Sequence, residues 1–342
     1  MPRRPWLTAC VALTLAVALP RSAPAQPRVR LIATGGTIAN HPSGRLTAED
    51  LVVQSPGVSR FARVEPETFS RGPSLALSLG DWLRLARRIS EVLGTGETAG
   101  VVVTGGTDTL EELAWFLDLT VRSDAPVVVT GAIRRPGMPG ADGPDNLLHA
   151  VQIAAHPAAR GRGTLVAFNG AVFSARDVEK VSTAKSDAFG GRALGPLGRV
   201  GDDGVQFSRE TVARHGLRSE FDLARIGALP RVDVLLTYQD APGDLLMAAV
   251  RSGARGLVIA AAGAGALADP EAHAVEQALA RGVPVVLASR VDGGAVSADE
   301  LGGIKGLIAA GDLAPLKARV LLMLALAQSL TGKEVERVFR EY

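Results

Sequence analysis

Val101-Val102-Val103-Thr104-Gly105-Gly106-Thr107-Asp108-Thr109-Leu110-Glu111-Glu112 is an apolar run that breaks at two glycines and reopens as a helix. Residues 100–104 form an unbroken, mostly β-branched run, as in a strand buried on both faces. Over 110–121, Leu113, Ala114 and Leu117 recur at helical spacing. A strand, a tight turn and a helix in that order make most of a βαβ unit, whose right-handed crossover needs a parallel neighbour. Candidates are at hand. Residues 29–34, 126–130 and 163–168 are further short apolar runs, each followed by turn residues, and 81–93 (Trp82, Leu85, Ala86, Ile89, Leu93) has helical spacing. The expected fold class is α/β with a parallel sheet.

Further along, residues 209–230 are rich in Arg, His, Ser and Glu and read as a linker. Three more strand candidates follow, at 232–236, 256–261 and 283–288. The organisation expected is a two-domain one, with a larger N-terminal domain over 26–208 and a smaller α/β domain over 231–342. A length of 342 residues suits two such domains. Hydrophobic residues make up 47% and charged residues 21%, enough apolar surface for a large core, which excludes wholesale disorder. The Ala/Leu-rich segment 313–330 reads as core or subunit interface rather than membrane.

Residues 1–25 read as a secretory signal peptide. Arg3 and Arg4 precede an apolar run over 7–19, and Ala23-Pro24-Ala25 offers a small-residue cleavage site. The expected location is therefore periplasmic or secreted. Cleavage there removes three arginines and no acids, leaving 34 Lys and Arg against 35 Asp and Glu and turning a net charge of +2 into −1. No basic excess remains to attract nucleic acid or an anionic membrane. Cys10, the single cysteine, leaves with the leader, so neither a disulfide nor a cysteine metal site is expected.

One pattern repeats. Ala33-Thr34-Gly35-Gly36-Thr37, Val103-Thr104-Gly105-Gly106-Thr107 and Val129-Thr130-Gly131-Ala132 each end a strand candidate. Ligands of open parallel sheets bind outside the carboxyl ends of the strands, and glycines there let a ligand approach open backbone N–H groups. Gly36 and Gly106 are thus candidate substrate-lining positions. Thr37 fits either a cap after a Gly-Gly turn or a hydroxyl nucleophile, which needs a neighbouring base. Thr109 with Glu112, or Asp108 with Glu111, fits a capping box, while the same helix N-terminus suits a developing oxyanion. Lys180, in Arg176-Asp177-Val178-Glu179-Lys180, fits a solvated charge run or, if turned inward, a base. Asp142-Gly143-Pro144 reads as a helix cap and first turn. Gly263-Ala264-Gly265-Ala266-Leu267-Ala268 matches a dinucleotide-turn pattern, but no acid follows at the next strand's end, and no nucleotide cofactor is expected.

With these residues in view, the chain resembles the bacterial type II L-asparaginase family from Ile32 to Leu322. The resemblance rests on Thr34-Gly35-Gly36-Thr37-Ile38-Ala39, on Gly106-Thr107-Asp108-Thr109 with Glu111-Glu112, on Ala141-Asp142-Gly143-Pro144 and on Arg176-Asp177-Val178 with Lys180. It implies an amidohydrolase that releases ammonia through an acyl-enzyme on Thr37, with Thr107, Asp108 and Lys180 as a second group that activates or positions the attacking hydroxyl or water. It also implies an oxyanion hole from the Thr107 and Ala132 N–H groups, a carboxylate contact at Ser74, no metal or organic cofactor, and a homotetramer with sites completed by a neighbour.

The departures concern recognition. The family's lid tyrosine is missing from a shortened loop, Ala39-Asn40-His41-Pro42-Ser43-Gly44-Arg45, where His41 stands nearest its place. Leu75 replaces a family glutamine beside Ser74, and Ala264 and Ala266 replace asparagines. Losing polar partners for a buried ammonium is costly. Three readings follow: hydrolysis of L-asparagine, the same chemistry on glutamine or a small carboxamide lacking a free α-amine, and an inactive amide-binding protein.

Overall fold

The computed structural model describes residues 25–342, so the expected leader lies outside the described residues except for Ala25. In chain order the larger domain contributes β1 (Arg28–Ala33), a hairpin of β2 (Asn40–His41) and β3 (Gly44–Arg45), β4 (Arg63–Thr68), β5 (Gly100–Thr104) and β6 (Val127–Thr130). It continues with β7 (Thr164–Phe168), β8 (Ala171–Ser174), a hairpin of β9 (Glu179–Lys180) and β10 (Phe189–Gly190), then β11 (Gly198–Gly201) and β12 (Gly204–Phe207). The main sheet has the order β12-β11-β8-β7-β6-β5-β1-β4. Its β4, β1, β5, β6 and β7 are parallel, and β8, β11 and β12 extend it antiparallel.

The buried strands are those whose apolar runs announce them. β4 is different, because Arg63-Val64-Glu65-Pro66-Glu67-Thr68 carries charge and a proline. It occupies the sheet edge, where both are tolerated. Its acids pair with neighbours: Glu65 with Arg28 at 2.8 Å and Arg30 at 3.1 Å, and Glu67 with Arg88 at 2.9 Å. A strand held this way has no hydrophobic signature.

Helices α1 (Ala48–Val53), α2 (Leu79–Gly94), α3 (Leu110–Thr120) and α4 (Gly143–Ala155) cover the sheet. Successive strand residues point to opposite faces. Leu31 meets the α1 and α4 side with Leu51, Leu147 and Val151, while Ile32 meets the α2 and α3 side with Ile89, Trp115 and Phe116.

The smaller domain is a parallel sheet of β13 (Val232–Leu236), β14 (Gly256–Ala261), β15 (Val285–Ser289) and β16 (Ile308–Ala309) in that order. Helices α5 (Asp244–Arg251) and α6 (Asp269–Ala280) cover one face, and α7 (Pro315–Ala327) covers the other, with α8 (Lys333–Glu341) against α7. α7 also packs on α3, so one apolar core runs from the large sheet into the small domain. This is where the Ala/Leu-rich segment goes: Leu321, Leu322, Met323 and Leu324 are fully buried. No helix among the described residues is long and apolar enough to cross a membrane. Between the domains, residues 209–230 hold one 3-10 turn, Gly216–Arg218, yet bury Phe221 and Ile226 in the same core.

Candidate active site

β1, β5 and β6 are neighbours, so the three Thr-Gly strand ends lie side by side. Thr34 N–H donates to the Thr104 carbonyl at 2.8 Å, and Gly105 N–H to that of Thr130 at 2.9 Å. Beyond this rung the backbones close up. Gly36 has φ +81°, and a Cβ there would stand 2.3 Å from the Gly106 nitrogen. A Cβ on Gly106 would meet that of Ser74 at 2.4 Å. Only glycine permits this approach. Thr37 and Thr107, each next in the chain, are thereby set at adjacent strand ends. Thr37 begins a short 3-10 turn (Thr37–Ala39) and is partly exposed, whereas Thr107 is buried.

Lys180 turns inward from the β9–β10 hairpin, and 16% of its side chain is exposed. Its Nζ donates to Thr107 Oγ1 at 2.9 Å and to Asp108 Oδ1 at 2.6 Å. A cation donating to the Thr107 oxygen directs that hydroxyl's own proton elsewhere and favours its loss. The hairpin is also held by its main chain, with Lys180 N–H donating to Glu111 Oε2 at 2.7 Å. Burial raises the Glu111 pKa above the usual carboxylate range, opposed by the positive charge of Lys317.

These contacts overturn the capping-box reading of 108–112. The Thr109 side chain makes no cap bond to α3, Asp108 and Glu111 serve Lys180, and Glu112 pairs with Arg319 on α7 at 3.2 Å. Partners distant in the chain outcompete the helix's own N–H groups. Asp142 likewise sits before α4 without capping it by its side chain. Its carboxylate instead accepts from Ile133 N–H at 3.0 Å and Arg134 N–H at 2.8 Å. Asn146, which donates to the Gly131 carbonyl at 3.1 Å, braces the same strand end, where Ala132 is buried.

Ser74 is buried against Gly106, and Leu75 beside it is 79% exposed. His41 is drawn away into its own hairpin: its Nδ1 lies 2.6 Å from Ser43 Oγ and accepts from Ser43 N–H, and its Nε2 faces the Gly137 turn. The loop brings in Arg45 instead, which sequence reasoning did not single out, its Nη1 donating to the Gly36 carbonyl at 3.1 Å. Arginine in a short loop carries no signal of such a contact. Among the described residues no group of three or more His, Cys, Asp and Glu is placed to hold a metal ion.

The comparisons with known proteins agree with one another. The family model described as "Asparaginase, N-terminal" matches residues 28–213, and "Glutaminase/Asparaginase C-terminal domain" matches residues 231–339. The chain is 38% identical over 326 residues to L-asparaginase 2 of Bacillus subtilis (strain 168), covering 92% of this chain and 87% of that protein. It is 36% identical over 347 residues to a probable periplasmic L-asparaginase of Haemophilus influenzae, covering 98% and 99%. A solved structure of a probable cytoplasmic L-asparaginase from Campylobacter jejuni superposes with a TM-score of 0.88 at 36% identity, covering 92% of this chain and all of that one.

Proposed function

The chain belongs to the asparaginase family of amidohydrolases, and from that premise we propose that it hydrolyses L-asparagine to L-aspartate and ammonia with Thr37 as nucleophile. The observation that carries this reading is the Lys180–Thr107–Asp108 cluster at the strand end adjoining Thr37. Thr37 Oγ attacks the side-chain carbonyl carbon, the C–N bond breaks, and the hydroxyl proton leaves with the amine as ammonia. Water then adds to the ester, the acid departs, and the proton returns to Thr37. Lys180 with Thr107 passes the proton, and Asp108 holds the lysine. The Thr107 and Ala132 N–H groups, at the N-terminal end of α3 and the end of β6, receive the oxyanion. Ser74 receives the substrate's α-carboxylate, and Gly36 and Gly106 line the pocket.

A specific observation favours a second substrate class for the same chemistry. Asp108 is engaged by Lys180, and Leu75 presents an exposed apolar side chain beside Ser74. A substrate α-ammonium would compete with Lys180 for Asp108, whereas an acylated amine would pack on Leu75. Ammonia release from L-asparagine, L-glutamine and α-N-acetyl-L-asparagine decides this. The expected kcat/KM for the acetylated amide is within about tenfold of that for asparagine. Strong preference for free asparagine removes the second class, and turnover of none of the three leaves an amide-binding protein.

We further infer a homotetramer exported by cleavage after Ala25. The exposed Asp108 and Leu75 leave the site one open side for a neighbour to close. A solution mass of four chains and a mature N-terminus at Gln26 are the expected results. A monomeric active enzyme, or one retaining its leader, would refute the respective inference.

A further inference from the structure

We propose that Lys317, on α7 of the small domain, is a positioning residue that holds Lys180 in register with Thr107 and Asp108. Lys317 is 1% exposed. Its Nζ donates to the backbone carbonyl of Glu111 at 2.9 Å and to that of Ala175. Glu111 lies in the first turn of α3, three residues beyond Asp108, and its carboxylate is the acceptor for Lys180 N–H at 2.7 Å. Ala175 follows β8 and starts the segment that ends in Lys180. One ammonium therefore joins the two stretches of chain whose separation sets the Lys180–Thr107 contact, and it does so from another domain.

Packing alone does not ask for a lysine here. α7 already docks on α3 through apolar contacts and through Trp115 Nε1, which donates to the Lys317 carbonyl at 3.2 Å. Arg176 and Asp312, 2.6 Å apart, clamp the same segment from the small domain without Nζ. A buried ammonium is expensive to desolvate, and removing it alone would leave the carbonyls and carboxylates around it without their cation. Carboxylates surround this one: Glu111, Glu112 and Asp118 from α3, and Asp177 and Glu179 from the β8–β9 segment. They oppose the effect of burial, which prevails and lowers the Lys317 pKa from 10.5 to about 8. Between those values the unfolded chain holds a proton that the folded chain does not, so this group makes stability rise as pH goes from about 8 to 10.5. At neutral pH the ammonium stays desolvated, and what offsets this is the pair of carbonyls it joins and the carboxylates around it.

The inference rests on Lys180 and Thr107 driving the hydrolysis, and its test separates the two. In the full chain, Lys317→Met is expected to lower kcat by about tenfold or more with KM within about threefold. Its urea midpoint at pH 7 should fall, because the Glu111 and Ala175 carbonyls and the nearby carboxylates lose their cation, and the rise in stability above pH 8 should be lost. Trp115→Phe, which removes a docking bond but not Nζ, should leave kcat within about twofold. Wild-type kcat in Lys317→Met, or an equal loss in Trp115→Phe, overturns the proposal. If Lys317→Met does not fold, Lys317→Gln, whose shorter amide cannot reach both carbonyls, decides: a similar fall in kcat supports the link to Lys180, and full turnover overturns it. A wild-type chain without turnover on any amide sinks the functional reading alone. The positioning role is then read from hydrogen exchange at the Lys180 amide, which must quicken in Lys317→Met, and unchanged exchange overturns it.

Discussion

Thr37→Ala is expected to lower ammonia release from L-asparagine by about a thousandfold or more while the chain stays folded, because removing the proposed nucleophile removes the covalent route outright. The site explains why the fold should survive. Thr37 is partly exposed at the start of a 3-10 turn, and the neighbouring contacts that draw β1 and β5 together are made by Gly36, Gly106 and Ser74. Deleting the hydroxyl and methyl leaves those contacts intact. The measurement is steady-state ammonia release together with mass spectrometry of quenched enzyme, where an acyl adduct on the peptide carrying Thr37 is expected in wild type and absent in the variant. Activity above about a tenth of wild type would move the nucleophile elsewhere, with Thr107 next to be changed.

Lys180→Met should cost about a hundredfold or more in kcat with little change in stability. The two effects separate because Lys180 and Asp108 differ in exposure. The lysine is 16% exposed and reaches the buried Thr107, whereas Asp108 is 69% exposed, so water takes up the lost pairing. Without the lysine, the Thr107 hydroxyl loses the donor that polarises it, while the proposed contacts of Thr37, Ser74 and the backbone to substrate remain. KM should therefore change less than kcat. A variant that keeps wild-type kcat would reduce Lys180 to a structural ion pair, and one that loses KM alone would make it a substrate ligand.

The loss expected from Lys317→Met would have a different origin from either of these. Lys317 touches no reacting atom in the proposed mechanism, and its effect passes through the Glu111 and Ala175 carbonyls to the segment that carries Lys180. Its distinguishing mark is turnover that falls with KM nearly unchanged, while Trp115→Phe, which loosens the same docking, keeps it.

Much of the architecture is readable along the chain. The runs at 29–34, 100–104, 126–130 and 163–168 become β1, β5, β6 and β7 because strands buried on both faces need unbroken apolar residues, a demand local sequence expresses directly. Helices at 81–93 and 110–121 follow from the 3.6-residue period in the same way. The repeated Thr-Gly ends also mark where a ligand site belongs, since a parallel sheet puts its loops at one edge. β4 escapes this reading because an edge strand built from Arg63, Glu65, Pro66 and Glu67 is stabilised by partners on β1 and α2.

What the sequence by itself determined is the α/β class, the Thr-Gly strand ends along one sheet edge and the residue types gathered there, all consequences of patterns a few residues long. Only the tertiary structure decided how the charges pair. Whether Lys180 faces water or Thr107, whether Asp108 and Glu111 cap α3 or serve the lysine, and whether His41 or Arg45 reaches the Gly36 strand end are choices between local and distant partners. The contacts that settle them span 73 residues from Thr107 to Lys180 and 206 from Glu111 to Lys317. A buried charge binds whichever opposite dipole the fold brings within about 3 Å, and that proximity is a property of packing that no local pattern encodes.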